Sequence, residues 1–141
     1  MDRRLQAVLI KKYPILCQET QLTIHQSCMA WGFDVGDGWF KILDELLEKL
    51  SKHDGVILAQ VKEKFGLLRV YINNGTDEVY KIIDEYESKS AHVCETCGDP
   101  GKSRGGGWIY TVCDSCHVKF EAGKRPWQDD WDDKKSNDPV G

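Results

Sequence analysis

Four cysteines near the C-terminal end of the chain are the residues whose types and spacing most directly suggest chemistry. Cys94 and Cys97 form one Cys-x2-Cys pair, Cys113 and Cys116 form another, and fifteen residues separate the pairs. Two pairs at this separation can surround a tetrahedral zinc ion with four thiolates. Four cysteine ligands close the coordination sphere, whereas a catalytic zinc keeps a position open for water or substrate. The spacing therefore predicts one structural zinc ion per chain.

The residues between and after the pairs indicate how this zinc module is built. Gly98 directly follows the first pair and suits a tight turn that needs a positive φ angle. Residues 108–112 are rich in β-branched and aromatic side chains, which predicts a strand leading into Cys113. Residues 114–122 have a capped start and predict a short helix. A turn, a hairpin and a second pair at a helix start favour a treble-clef finger over an all-β zinc ribbon.

Other metal sites drawn from histidine and cysteine have weaker support. His117 follows Cys116 and competes as a fourth ligand, but the set of cysteine ligands is already complete without it. Cys17, His25 and Cys28 would make a second metal site. Free cysteines are among the most commonly buried residues, so a place in the core is the simpler interpretation for Cys17 and Cys28.

The sequence carries no established catalytic motif. It has no Walker loop, no nucleophile elbow and no zinc-protease or deaminase signature. Treble-clef folds do host nucleases, and His92 and His117, with Asp99, Asp114 and Glu95 nearby, are the candidates for such a site. Nothing in the sequence determines their geometry. A non-catalytic role is therefore favoured, with a nuclease as the less favoured alternative.

Charge and composition limit the class of protein. The net charge is −4, and residues 92–127 carry five positive and four negative groups. Zinc held by four thiolates adds about −2 charges, which removes that basic excess and argues against general nucleic-acid binding. No segment approaches the roughly 20 apolar residues of a membrane span, and the basic N-terminus lacks a signal cleavage site. With cysteines arranged for metal, these features predict a cytoplasmic protein.

The residues before the cysteines predict an α+β domain that positions the zinc module. Apolar residues at helical spacing predict three amphipathic helices, and alternating residues predict two strands joined as an antiparallel hairpin. Asp37 is placed to cap the second helix. Helices covering one face of the hairpin would form a two-layer domain with its own core. The predicted elements are helices over 2–12 and 39–52, a third helix opening at Thr76, and strands over 56–61 and 67–72.

This division of the chain gives three units. Residues 1–91 are the α+β domain, residues 92–127 are the four-cysteine zinc-finger module, and residues 128–141 are an acidic tail. Residues 88–90 are predicted to be a short junction between the first two units. We expect the tail to be flexible, because chain termini are loosely ordered unless they are tied down.

Basic and aromatic side chains on the module and the tail are the candidate partner-binding residues. Residues 102–107 predict a flexible, locally basic loop next to two aromatic residues, a combination that fits either a protein or a single-stranded nucleic acid. The acidic tail opposes phosphate, so a protein is the favoured partner and a nucleic acid the alternative. The candidates are Lys102, Arg104, Trp108, Tyr110, Trp127 and Trp131.

Three stretches carry a resemblance that spans about residues 36–116. They are Gly-Asp-Gly-Trp-Phe over 36–40, Val-Lys-Glu-Lys-Phe-Gly-Leu-Leu-Arg over 61–69 and Cys-Glu-Thr-Cys-Gly-Asp-Pro-Gly over 94–101. Together they resemble a group of small bacterial, phage and prophage proteins with a C-terminal zinc finger. The resemblance implies no catalytic residues. It implies a mobile accessory gene, and hence a role in phage–host conflict such as binding and inhibiting a host or defence protein.

Overall fold

The structure, a computed structural model, describes residues 1–122 and consists of a helix-and-sheet body that continues into the cysteine-bearing segment. The mixed α+β class predicted from the sequence is confirmed. Short 3-10 turns at 18–21, 28–31 and 37–39 connect the first elements. The helices are α1 (Arg3–Lys12), α2 (Phe40–Leu50), α3 (Asp77–Ser90) and α4 (Asp114–Ala122), and the strands are β1 (Phe33–Asp34), β2 (Ile57–Lys64), β3 (Leu67–Asn73), β4 (Lys102–Arg104) and β5 (Tyr110–Val112).

The larger sheet is built around the predicted hairpin. Strands β2 and β3 pair antiparallel with Val61 opposite Val70, and β1 adds a short parallel edge on the other side of β2. Phe65 and Gly66 make the connection with φ angles of 55° and 78°. Two residues with positive φ match the tight turn whose twist suits a hairpin. Strand β1 was not predicted, since residues 15–35 show no hydrophobic periodicity.

One hydrophobic core lies between the sheet and the helices. The buried side chains of α2 and α3 belong to the same cluster as those of β2 and β3, as the apolar stripes of these elements require. Among residues 1–122, Trp39 is the largest fully buried side chain, and it lies at the start of α2. Members of the core include Leu43, Leu46, Leu47, Leu50, Leu58, Val61, Leu68, Val70, Val79, Ile83 and Tyr86.

Helix α3 covers the outer edge of β3 with hydrogen-bonding side chains. The Leu68 N–H donates to Ser90 Oγ at 2.9 Å, and the Val70 N–H donates to Glu87 Oε2 at 2.9 Å. These contacts satisfy backbone donors that an edge strand would otherwise leave open. The predicted junction at residues 88–90 is wrong, because α3 runs through it and buries Ser90 completely.

The start of α2 also differs from the prediction. The helix follows a 3-10 turn, and Trp39, at its N-cap position, makes no side-chain capping bond. Asp37 lies inside that turn, where its Oδ1 accepts a hydrogen bond from the Asp2 backbone N–H at 2.7 Å. Asp37 therefore holds the beginning of α1 instead of capping α2.

Direct hydrogen bonds join the two units that were predicted as separate domains. Trp39 Nε1 donates to the Val93 carbonyl oxygen at 2.8 Å, and Thr111 Oγ1 donates to the Gly66 carbonyl oxygen at 2.6 Å. Each bond links a buried side chain of one unit to the backbone of the other. The sheet and its helices thus form a fixed support beneath the cysteines.

Candidate metal centre

The four predicted ligands come together at the point where three backbone segments meet. Cys94 and Cys97 lie on the loop after α3, Cys113 follows β5, and Cys116 lies in the first turn of α4. Their sulfur atoms all lie within 4.8 Å of one another, and the Cys97 and Cys113 sulfurs are 3.6 Å apart. A tetrahedron with Zn–S bonds of about 2.3 Å spaces its sulfurs by about 3.8 Å. The cluster therefore fits one tetrahedral ion.

The two pairs have the same local geometry. The Cys97 N–H donates to the Cys94 sulfur at 3.5 Å, and the Cys116 N–H donates to the Cys113 sulfur at 3.4 Å. Such N–H···S bonds stabilise negative charge on a metal-bound sulfur. Gly98 has a φ of 86°, as the sequence predicted for the residue after the first pair. The first pair lies on this loop and the second lies at the start of α4. In both places the backbone turns tightly enough to bring two short cysteine side chains to the same point.

The protonation of the thiols is coupled through their proximity. Burial opposes ionisation of Cys94, but backbone N–H groups that include those of Cys113 and Cys97 lower its pKa to about 7. For Cys97 the Asp99 backbone favours the thiolate, yet burial and hydrogen bonds to its neighbouring cysteines raise the pKa. Burial and the neighbouring thiols raise the pKa of Cys116. A metal ion must displace these protons, so metal binding releases them.

The Gly36-Asp37-Gly38 segment packs against the loop that carries the first cysteine pair and donates hydrogen bonds to it. The Gly38 N–H donates to the Glu95 carbonyl oxygen at 2.8 Å, and the Gly36 N–H donates to Glu95 Oε2 at 2.9 Å. A methyl group at Gly38 would collide with the backbone of Cys94 and Gly98. The sequence predicted only that this segment precedes α2 and that its Asp37 caps that helix. The two closely spaced glycines were the available signal for such a close backbone approach.

Glu95, which the sequence indicated only as an acidic neighbour of the nuclease-type histidines, is a functional candidate because of its burial. Glu95 lies between Cys94 and Cys97 in the sequence, and only 9% of the residue is exposed. Burial raises the pKa of Glu95 to about 7; the Gly36 N–H works against this shift, and the Glu63 and Asp34 carboxylates add to it. A glutamate between two metal ligands is ordinarily solvated, so nothing in its local sequence marks this burial.

The two basic partner-binding candidates on β4 have different surroundings. Lys102 is exposed. Arg104 is 12% exposed in its side chain, pairs with the Asp114 carboxylate and donates from Nε to the Val112 carbonyl oxygen at 3.1 Å. The Arg104 guanidinium also lowers the pKa of Asp114. The predicted flexible loop is thus partly a strand, in which Arg104 links β4 to β5 and to the start of α4.

The aromatic candidates also differ in exposure. Trp108 is 48% exposed, whereas Tyr110 is 3% exposed and lies in the core of the module. The Tyr110 ring packs edge-on against Phe120 with 5.7 Å between centroids, and its hydroxyl is 3.2 Å from His117 Nδ1. Tyr110 is therefore mainly a core residue of the module and not the exposed partner-binding residue that the sequence predicted. The candidates Trp127 and Trp131 lie outside the described residues.

The remaining histidines and cysteines do not join the cluster. His117 Nδ1 faces the Tyr110 hydroxyl, and its Nε2 is 3.8 Å from the Glu121 carboxylate. His92 is exposed on the loop after α3. Cys17 is buried, which raises its pKa to about 12, while Cys28 is exposed. Across residues 1–122, the four clustered cysteines are the one group of three or more such side chains close enough to hold a metal.

The chemistry available to this centre is that of a closed thiolate site. Four sulfurs fill a tetrahedral sphere, so a bound zinc ion would cross-link the loop after α3 to β5 and α4 and would bind no substrate.

No helix in residues 1–122 is both long and apolar enough to cross a membrane. Comparison of the chain with protein-family models, curated proteins and solved structures gave no significant match, so its function is inferred from geometry.

Proposed function

We propose that the chain binds one structural zinc ion through Cys94, Cys97, Cys113 and Cys116 and acts as a non-catalytic protein-binding factor. The convergence of the four sulfurs within 4.8 Å is the observation that carries this proposal. A closed site supplies rigidity to a small module and leaves function to its surface. A reducing, cytoplasmic compartment, which keeps thiols available for metal, belongs to the same proposal.

The proposed module type is a treble-clef finger. The first pair lies on a tight loop, the β4–β5 hairpin follows, and the second pair stands at the start of α4. This order of loop, hairpin and helix distinguishes a treble clef from an all-β ribbon. The described part of the module ends with α4 at Ala122.

The proposed binding surface carries exposed aromatic rings on adjoining elements. Trp108 is 48% exposed on the module, and Phe65 is 64% exposed at the tip of the β2–β3 hairpin. These elements touch, because a side chain added at Gly66 would lie 3.3 Å from the Ile109 side chain. Aromatic residues in such positions supply much of the energy of protein interfaces. A host or defence protein bound by a phage or bacterial accessory factor is the partner that the sequence resemblance suggests.

The alternatives of nucleic-acid binding and nuclease activity have less support. Arg104 is already engaged by Asp114 and Val112, which leaves Lys102 as the free cation among the described basic candidates of this loop. His117 is held by Tyr110, with no cluster of carboxylates around it in the described residues. Retention on single-stranded DNA or RNA that falls steeply with salt would favour the first alternative. Metal-dependent cleavage lost in His117→Ala with zinc retained would favour the second.

The test of the proposed function combines metal analysis with partner capture. Purified protein should contain one zinc per chain, Cys113→Ser should lose it, and Cys28→Ser, which changes an exposed cysteine outside the cluster, should keep it. Trp108→Ala should weaken a complex with a specific protein from the native host at least about tenfold. Tyr80→Ala is the matched control, since Tyr80 is 46% exposed on α3. Absence of zinc, or equal effects of the two aromatic substitutions, would contradict the proposal.

A further inference from the structure

A cavity of about 530 Å³ opens where the helix-and-sheet body meets the cysteine module. This volume falls within the range of about 300–1,000 Å³ that is usual for ligand pockets. We call it the junction cavity. Its wall includes Asp2, Asp34, Asp37, Glu63, Glu95 and Trp108.

The wall of the junction cavity carries five carboxylates and one cation, the N-terminal ammonium group of Met1. That ammonium group donates to the Phe33 carbonyl oxygen at 3.2 Å. The ion pairs within residues 1–122 lie elsewhere: they join Lys12 to Asp44, Lys89 to Glu85, Arg104 to Asp114 and His117 to Glu121. Four of the five carboxylates, those of Asp2, Asp37, Glu63 and Glu95, accept backbone hydrogen bonds, and none of the five is paired with a basic side chain of the described residues.

Glu95 points to a ligand independently of the acidic cluster. Its residue is nine-tenths buried, it lines the cavity, and its Oε2 accepts the Gly36 N–H. Its other oxygen, Oε1, has no hydrogen bond from the described residues. Within residues 1–122, Oε1 is not one of the fully buried polar atoms that lack a hydrogen bond, so it is open to the cavity, where a cationic donor gives the strongest bond.

The composition of the wall favours a guanidinium group over a compact cation. Trp108, half exposed, lines the same cavity as Glu63 and Glu95, so an aromatic face and acidic oxygens are available to one occupant. A guanidinium is planar, forks between two carboxylate oxygens and stacks on an indole. An ammonium group or a metal ion uses the carboxylates but gains less from the ring.

We propose that the junction cavity is the docking site for an arginine side chain of a partner protein. This inference rests on the proposed binding function and adds the chemistry of the contact. The partner presents a basic segment whose arginine enters between Asp34, Glu63 and Glu95 and stacks against Trp108. Charge complementarity identifies the occupant, and the acidic walls disfavour a nucleic acid at this place.

A titration of the isotope-labelled full chain in its zinc-loaded form tests the cavity directly. The probe is Nα-acetyl-arginine N-methylamide, and the control is the citrulline analogue, which has nearly the same shape without the charge. NMR resonances of the Gly36 and Thr96 amides and of the Trp108 indole N–H should shift with arginine and not with citrulline. Equal shifts with citrulline, or no shift with arginine, would overturn the proposal. Shifts produced by Mg²⁺ but not by arginine would assign the cavity to a metal ion and overturn it as well.

A double variant separates cavity binding from non-specific attraction. Asp34→Asn with Glu63→Gln removes two charges, while the glutamine can still accept the hydrogen bond that the Gly66 N–H donates to Glu63 at 2.7 Å. We expect the arginine probe to bind at least about tenfold more weakly to this variant, since close charge pairs at interfaces carry such energies. Asp84→Asn, on the exposed surface of α3, should leave the titration unchanged.

The same variants distinguish failure of this inference from failure of the proposed function. A protein complex that depends on Trp108 but is unchanged in the double variant would overturn arginine docking and leave the protein-binding function standing. Nucleic-acid cleavage by the purified chain would overturn the proposed function and the partner-protein assignment with it. A complex weakened by the double variant and by Trp108→Ala alike supports both.

Discussion

The surroundings of Asp44 and Glu87 shift the pKa values of these two carboxylates in opposite directions. Burial works against the charge of Asp44, but hydrogen bonds from Lys12 and Tyr13 lower its pKa below the ordinary value. Burial dominates at Glu87 and raises its pKa, although the Val70 N–H donates to it. The contribution of Asp44 to stability is present above the unfolded pKa and is lost as pH falls through the folded value. The contribution of Glu87 has the opposite sign: it is present below the unfolded pKa and is lost as pH rises through the folded one.

Substitution of Glu87 tests this assignment. Glu87→Ala leaves the Val70 N–H on the edge of β3 without an acceptor, so we expect a loss of about 1–3 kcal/mol in the free energy of unfolding. Glu87→Gln keeps an acceptor without a charge to bury and should be at least as stable as the unsubstituted protein at neutral pH. Urea unfolding between acid and neutral pH should show a smaller decline with rising pH in Glu87→Gln. An identical pH profile for the two proteins would contradict the assignment.

At the scale of elements, the support of the first cysteine pair depends on a backbone contact. A methyl group at Gly38 would lie 2.6 Å from the Gly98 backbone nitrogen, which forces α2 and the metal-binding loop apart. Overpacking of this kind costs about 1–3 kcal/mol, so Gly38→Ala should lower stability by that amount and release zinc faster to a chelator. Gly106→Ala is the control, because a methyl group there meets nothing within 4 Å. Equal zinc release from both variants would show that the contact is unimportant.

The helices, the main hairpin and the metal ligands could be predicted from the sequence. The apolar spacing and the cysteine spacing that indicate them depend only on residues that are close together in the chain. The sequence predicted a hairpin in the module but did not locate its first strand, β4, because Lys102, Ser103 and Arg104 have no apolar alternation. The position of β4 is determined by its pairing with β5 and by the contacts of Arg104, which the local sequence pattern does not show. The burial of Tyr110 also depends on tertiary packing, here against Phe120 on α4. The contact between Gly38 and the cysteine loop joins residues far apart in sequence, so only the folded chain reveals it.

At the scale of the whole molecule, hydrogen bonds from buried side chains connect the cysteine module to the helix-and-sheet body. Buried Trp39 donates to the Val93 carbonyl oxygen of the module, and buried Thr111 of the module donates to the Gly66 carbonyl oxygen in the β2–β3 turn. Removal of the module would leave the Trp39 indole N–H without its partner and expose core that the module now covers. The sequence predicted an independent domain over residues 1–91; these contacts favour a single cooperative unit instead.

Zinc removal should therefore destabilise the entire chain. Structural zinc contributes directly to folding free energy, so chelation or Cys113→Ser should lower Tm by roughly 10 °C or more, given a shift of roughly 4 °C per kcal/mol for a chain of this size. Leu46 is fully buried on α2, and its amide exchange reports on the main core, while the Val112 amide reports on the module. Hydrogen exchange at both positions should accelerate together when zinc is removed, because the two parts open as one. Faster exchange at Val112 with unchanged protection at Leu46 would show two independent units and restore the domain boundary that the sequence predicted.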